Sequence, residues 1–179
     1  MMNKNGKKED DKKANIPSYV AMESVVGAAC LLAAKSAMHK HLFASDYEWL
    51  IFPAIRLKQF FLLRSKKNEP VAFVSWAMIN DEVEKRLLSG VVKLKPSDWN
   101  SGNKMFIIDV ISPFVPESEI MKQLNDERLK GREVNVLVPK NNSKGFEIKS
   151  LQAVSNNIEI KKTKSVSNID NTKKPHKPN

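Results

Sequence analysis

The chain carries one cysteine, Cys30, in 179 residues. A single thiol excludes an intramolecular disulfide and a cysteine-built metal cluster, and agrees with a reducing compartment. Histidine is scarce as well, with His39, His41 and His176 the whole supply. The six glycines form no Gly-rich phosphate loop, and no internal repeat is visible. Long apolar runs are also missing. Val25 to Ala34 is a ten-residue stretch of apolar and small residues, cut off by Glu23, whereas a bilayer span needs about 20. Glu9, Asp10, Asp11 and Glu23 spoil the basic leader that a secretory signal requires. The run therefore reads as a buried helix, and Cys30 within it as packing rather than as a nucleophile or lipid anchor.

Positive charge is what the chain has in excess. The formal net charge is +10 at pH 7, which points to an anionic partner: nucleic acid, a membrane surface or an acidic protein. Much of the excess sits at the two ends, in Lys4 to Lys13 and Lys161 to Lys177, where solvated tail is the simpler reading. No nucleic-acid motif and no interleaving of basic with aromatic residues accompanies it. At 41% hydrophobic residues the middle of the chain can build one core.

The pattern predicts three regions: a polar, disordered extension over 1–16, a folded domain over 17–154, and a disordered Lys-rich tail over 155–179. Within the domain, Ser18 is a helix-cap candidate. Val20 to Lys35 follows at helical spacing, with Met22, Val25, Val26, Ala29, Leu32 and Ala33 on one face. A short helix is expected over Ser45 to Ile51. A hairpin follows, with Leu57 to Arg64 as its first strand and Val71 to Ala77, buried on both faces, as its second. Asn80-Asp81-Glu82 opens a helix to about Ser89. Met105 to Ile111 is a buried strand, Glu117 to Arg128 a helix, Val134 to Val138 a strand, and Phe146 to Val154 the last strand, at an edge. The sum is an α+β fold with a largely antiparallel central sheet flanked by helices.

Asp109 interrupts the apolar strand Met105 to Ile111. A carboxylate there is costly unless it is paired, so it asks for a partner. His39, just past the first helix, is a candidate. Imidazole accepts a proton near neutrality, and a buried carboxylate can fix its tautomer and support its charge. His39 and His41 diverge on a helix and lack placeable carboxylates, which disfavours a metal site.

Four blocks of the chain resemble those of the toxin-activating lysine acyltransferases, the family that activates RTX haemolysins. They are Ser36-Ala37-Met38-His39, then Pro53-Ala54-Ile55-Arg56 with Gln59, then Pro70-Val71-Ala72-Phe73-Val74-Ser75-Trp76-Ala77. The last is Asp98-Trp99 with Ser101-Gly102, Asp109 and Pro113-Phe114. The resemblance implies a GNAT-like fold in a cytoplasmic enzyme with no bound cofactor. It implies that a fatty acyl chain passes from acyl carrier protein, the co-substrate, to internal lysines of an RTX protoxin. Carried over residue by residue, it makes His39 and Asp109 catalytic and gives Ser36 a positioning role. It also implies a homodimer, no nucleic-acid partner and no stable membrane insertion. Carrier proteins are acidic, so Arg56, Lys58, Arg86 and Lys104 are candidates for docking one. The chain departs from the family pattern at Ala37, Asn103, Val110 and Val115, which leaves the proposed pair intact.

Overall fold

The computed structural model describes residues 18–124, 132–140, 146–154 and 157–165. The extension over 1–16 and the end of the chain with His176 lie outside them. Among the described residues a six-stranded sheet runs in the order β1-β2-β3-β4-β5-β6. Its strands are β1 (Phe60–Arg64), β2 (Pro70–Ile79), β3 (Lys104–Ile111), β4 (Glu133–Pro139), β5 (Phe146–Val154) and β6 (Asn157–Ser165). Every neighbouring pair is antiparallel except β3 and β4. A parallel pair needs a crossover, and the helix α5 (Glu117–Leu124) lies on it. The expected α+β class and largely antiparallel sheet are both present.

The helices α1 (Ser18–Lys35), α2 (Asp46–Leu50), α3 (Phe52–Arg56) and α4 (Asp81–Leu88) precede or interrupt the first strands. Helix α1 buries Ala29, Leu32 and Ala33, as its spacing predicts, and Ala28 besides, while Met22 stays exposed. No helix among the described residues is long and apolar enough to cross a membrane. Helix α3 was not foreseen. Pro53 occupies its first turn, where the missing N–H costs nothing. The first strand consequently starts at Phe60 rather than Leu57, and Lys58 turns the chain at φ 56°.

The helices cover the sheet from both sides. On one side Ala29, Leu32, Ile51 and Ile55 pack with Phe73 and Ile111, and Val83 and Leu87 pack with Ala77, Trp99, Phe106 and Ile148. On the other, Ile120 and Leu124 of α5 meet Ala72, Val74, Met105, Ile107 and Val134. The central strand β2 is therefore buried on both faces, which is why its sequence reads as a near-continuous apolar run.

Two expectations need correction. Strand β5 is not an edge, because β6 pairs with it from Glu147↔Ser165 to Val154↔Asn157. The tail expected from Ser155 thus contains a strand. Its lysines and asparagines suggested disorder, but Ile158, Ile160 and Thr163 are β-formers, and ladder hydrogen bonds use the backbone whatever the side chain.

The loop before β3 is fastened to β2. Met78 N donates to Trp99 O (2.9 Å), and Met78 O accepts from Ser101 N (2.8 Å) and Gly102 N (3.1 Å). The approach leaves no room at Gly102, where a Cβ would stand 2.4 Å from Ile79 O and 2.6 Å from Asn80 N. Gly102→Ala is expected to lower unfolding stability by about 2–3 kcal/mol through this overpacking, measurable as a lower urea midpoint at unchanged slope. An unchanged midpoint would show that the loop yields freely.

Candidate active site

Helix α1 ends in a turn built on the Ser36 carbonyl, which accepts from His39 N (3.2 Å) and Lys40 N (2.9 Å). That turn puts both side chains of the first block on one side. Ser36 Oγ lies 2.7 Å from His39 Nδ1, and His39 Nε2 lies 2.9 Å from Asp109 Oδ1. Seventy residues of chain separate the imidazole from the carboxylate it meets. Ser36 is buried, while the side chains of His39 and Asp109 keep 14% and 15% of their surface open. The pair is thus reachable but largely out of water. His41 is exposed and takes no part in it.

The direction of Asp109 is set by a register slip. Between Ser75 and Trp76 the β2–β3 ladder shifts: Trp76 pairs with Ile107, Ser75 pairs with Asp109, and Ile108 is the extra residue. Side chains alternate across a strand, so one added residue exchanges the faces of everything beyond it. Before the bulge Met105 and Ile107 face α5, while Phe106 packs on the opposite side. After it Val110 packs on the α5 side and Ile111 packs with Phe73 and α1. Asp109 therefore joins Ile111 on the side of α1, where His39 waits. Without Ile108 as an insert, it would point into the apolar layer under α5. A carboxylate inside an apolar strand was the signal in the sequence, but a bulge cannot be read from spacing alone.

Asp109 Oδ1 also accepts from Val110 N (3.0 Å), whereas Oδ2 is buried without a hydrogen-bond partner. The departure at Val110 touches this carboxylate only through its backbone, since its side chain packs on the α5 side. Val115 packs there too, and Asn103 is exposed. Three of the four departures therefore lie off the face that carries the pair.

The Asp98-Trp99 block is structural support. Asp98 is buried, pairs with Arg86 and accepts from Lys95 N (2.6 Å). Trp99 is fully buried. With its amide oriented by the surrounding acceptors, Gln59 donates to Trp99 O (3.0 Å) and Trp76 O (3.2 Å), which joins the second block to the third and fourth. Cys30 lies beside the Tyr47 hydroxyl, whose pKa is pushed up to about 12, chiefly by burial and then by the hydrogen bond with that thiol.

A cavity of about 480 Å³ opens along the last turns of α1, lined by Leu31, Leu32, Lys35, Pro70, Val71 and Phe114 together with Glu69. Its volume suits a small-molecule site. Its wall adjoins the pair through the chain, since the Leu32 carbonyl accepts from Ser36 N (3.0 Å). Leu31, Met38, Phe43 and Phe114 stand exposed in these same segments. Among the described residues, no group of three or more His, Cys, Asp or Glu side chains could hold a metal ion.

The model of the RTX toxin acyltransferase family matches residues 19–152. The chain belongs to this family. Vibrio cholerae serotype O1 lysine-acyltransferase RtxC is 32% identical over 103 residues, 58% of this chain and 67% of the relative. Escherichia coli protein-lysine myristoyltransferase HlyC is 35% identical over 100 residues, 56% of this chain and 57% of the relative. Actinobacillus pleuropneumoniae RTX-I toxin-activating lysine-acyltransferase ApxIC is 35% identical over 102 residues, covering 57% and 59%. The matches thus span from somewhat over half to two thirds of these relatives' lengths. Membership rests on the whole domain from α1 to β5, and the four blocks fall inside it.

Of the four cations considered for docking, the structure uses two internally. Arg86 pairs with Asp98, and Lys104 pairs with Asp81 and Glu84. Arg56 and Lys58 are exposed. The pKa of Lys104 is raised, first by its hydrogen bond to Asp81 and then by that to Glu84. A raised pKa in the folded state contributes stability below the unfolded value, near 10.5, and that contribution is lost as pH climbs through the folded value. Lys104→Met is accordingly expected to lower the urea midpoint at pH 7, with the gap to the parent closing above pH 10.5. A gap independent of pH would show that the ion pairs contribute nothing.

Proposed function

We propose that this protein is a protein-lysine acyltransferase. It moves a fatty acyl chain from acyl carrier protein to the ε-amino group of lysines in an RTX protoxin, in the cytoplasm. The observation that carries the reading is the His39–Asp109 contact at 2.9 Å in a chain of this family. The names of its relatives give lysine as the acceptor and, for HlyC, myristoyl as the group moved.

A lysine amine has a reference pKa near 10.4, so at pH 7 its neutral form costs about 4.6 kcal/mol. Attack on a thioester needs that neutral form. With its Nε2–H donated to Asp109, His39 presents Nδ1 as the basic nitrogen. In the resting site Nδ1 holds the Ser36 hydroxyl. The incoming amine takes the place of that hydroxyl and gives its proton to Nδ1 as the N–C bond forms. The C–S bond then breaks, and the imidazolium returns the proton to the departing sulfur. Asp109 holds the ring and balances its charge throughout. General-base assistance of this kind is worth about 10²–10⁴ in rate. The apolar cavity offers the acyl chain a place out of water, where each buried CH₂ contributes about 0.8 kcal/mol. Arg56 and Lys58 supply positive charge for the acidic carrier.

A second reading has support from one contact. Ser36 Oγ at 2.7 Å from the base has the geometry of a nucleophile that could carry the acyl group covalently. Direct attack is preferred as the simpler route, with one acyl transfer rather than two.

Co-expression with a protoxin, followed by mass spectrometry of its lysines, tests the function. The parent should leave a fatty amide, and an unmodified protoxin would count against the assignment. His39→Ala is expected to cut transfer by about 10²–10⁴ with an unchanged circular dichroism spectrum. Parental activity in that variant would remove His39 as the base. Ser36→Ala should stay within about tenfold of the parent if the serine only positions the ring. A loss as deep as that of His39→Ala would favour the covalent route instead.

A further inference from the structure

Two polar atoms near the pair are buried with no partner, Asp109 Oδ2 and Ser75 Oγ. They belong to residues directly opposite each other in the β2–β3 ladder. Residues so paired share a face, with Cβ atoms about 4.5–5.5 Å apart. The shared face follows from their neighbours too. Phe73 and Ile111, two residues away on each strand, pair with each other and pack together beneath α1. Ser75 is 0% exposed, in the middle of the most buried strand of the sheet. A hydroxyl and a carboxylate oxygen both left bare in that layer would each carry a full desolvation penalty. Such atoms are rare in folded proteins, and here two complementary ones stand side by side.

We infer that Ser75 is a positioning residue of the His39–Asp109 pair, its hydroxyl donating to Asp109 Oδ2. The hydroxyl proton is a free rotor, and a serine Oγ can take any of three staggered positions about Cα–Cβ. Oδ1 is held by His39 Nε2 and Val110 N. A donor on Oδ2 fixes the plane of the carboxylate and so the plane of the ring it holds. The bulge gains a second role from this arrangement. By pairing Ser75 with Asp109 it supplies the aspartate with a donor as well as a direction.

The inference rests on the pair and, for its catalytic consequence, on the acyl-transfer reading, so two measurements separate them. The first needs no substrate. Melting temperatures are compared for the parent, Ser75→Ala, Asp109→Ala and the double variant. If the hydroxyl donates to Asp109, Ser75→Ala lowers the midpoint in the parent but is neutral or stabilising once Asp109 is alanine, because only an idle hydroxyl is then removed. Shifts that simply add would overturn the inference. The second compares Ser75→Thr with Ser75→Val, which have the same shape and differ by the hydroxyl. In acyl transfer, kcat of the Val variant should fall at least about tenfold below that of the Thr variant with KM unchanged. Equal kcat in the two would leave Ser75 a packing residue. Coupled melting shifts without any acyl transfer in the parent would sustain the contact while refuting the reaction.

Discussion

One extra residue in one strand decides the chemistry available to this molecule. A β-strand has only two sides, and a carboxylate on the wrong side of β3 would lie in the layer under α5, without a partner. The insertion of Ile108 moves Asp109 to the side of α1, and only there does a histidine from the far end of a 70-residue span come within 2.9 Å. The remaining parts of the fold hold that arrangement steady. Strand β2 supplies the register, and the loop around Trp99 and Gly102 locks the start of β3 against Met78 and Ile79. The turn after α1 aims the ring.

The four sequence blocks can now be sorted by what they do physically. Ser36 to His39 and the strand with Asp109 bring an imidazole and a carboxylate together. Pro53 to Gln59 forms a short helix whose trailing glutamine joins the backbones of Trp76 and Trp99. Pro70 to Ala77 forms the buried strand against which Asp109 is registered. Asp98 and Trp99 anchor a loop through an ion pair with Arg86 and a fully buried indole. Acidic or aromatic residues in a family block therefore need not touch substrate. Asp98 and Asp109 lie eleven positions apart in one block, yet the first serves the framework and the second the site.

Much of this was legible beforehand, for identifiable reasons. Elements with strong periodicity were placed well: α1 by its apolar face, β2 by its unbroken run, and α4 by the Asn80 cap, whose side chain does accept from Val83 N at 2.9 Å. Asp109 stood out because a charge inside an apolar strand is expensive, and His39 stood out by chemistry and resemblance. What stayed hidden were features that depend on the backbone rather than on composition. Helix α3 was masked by a proline that its first turn tolerates, and β6 by lysines that do not prevent ladder pairing. The bulge has no composition at all. Charge was a poor guide to docking for a related reason: Arg86 and Lys104 look like free cations in the sequence, but folding brings Asp98, Asp81 and Glu84 to them.

The order of the strands also separates the molecule into a part that must be exact in shape and a part that has latitude. Both members of the pair, Ser75 and the bulge all lie between Ser36 and Ile111, in the turn after α1 and on the first three strands. Beyond β3 the sheet continues in one direction only, and β6 lies three strand spacings from it, about 14 Å. Mutational drift along that far margin has little leverage on the angle between imidazole and carboxylate.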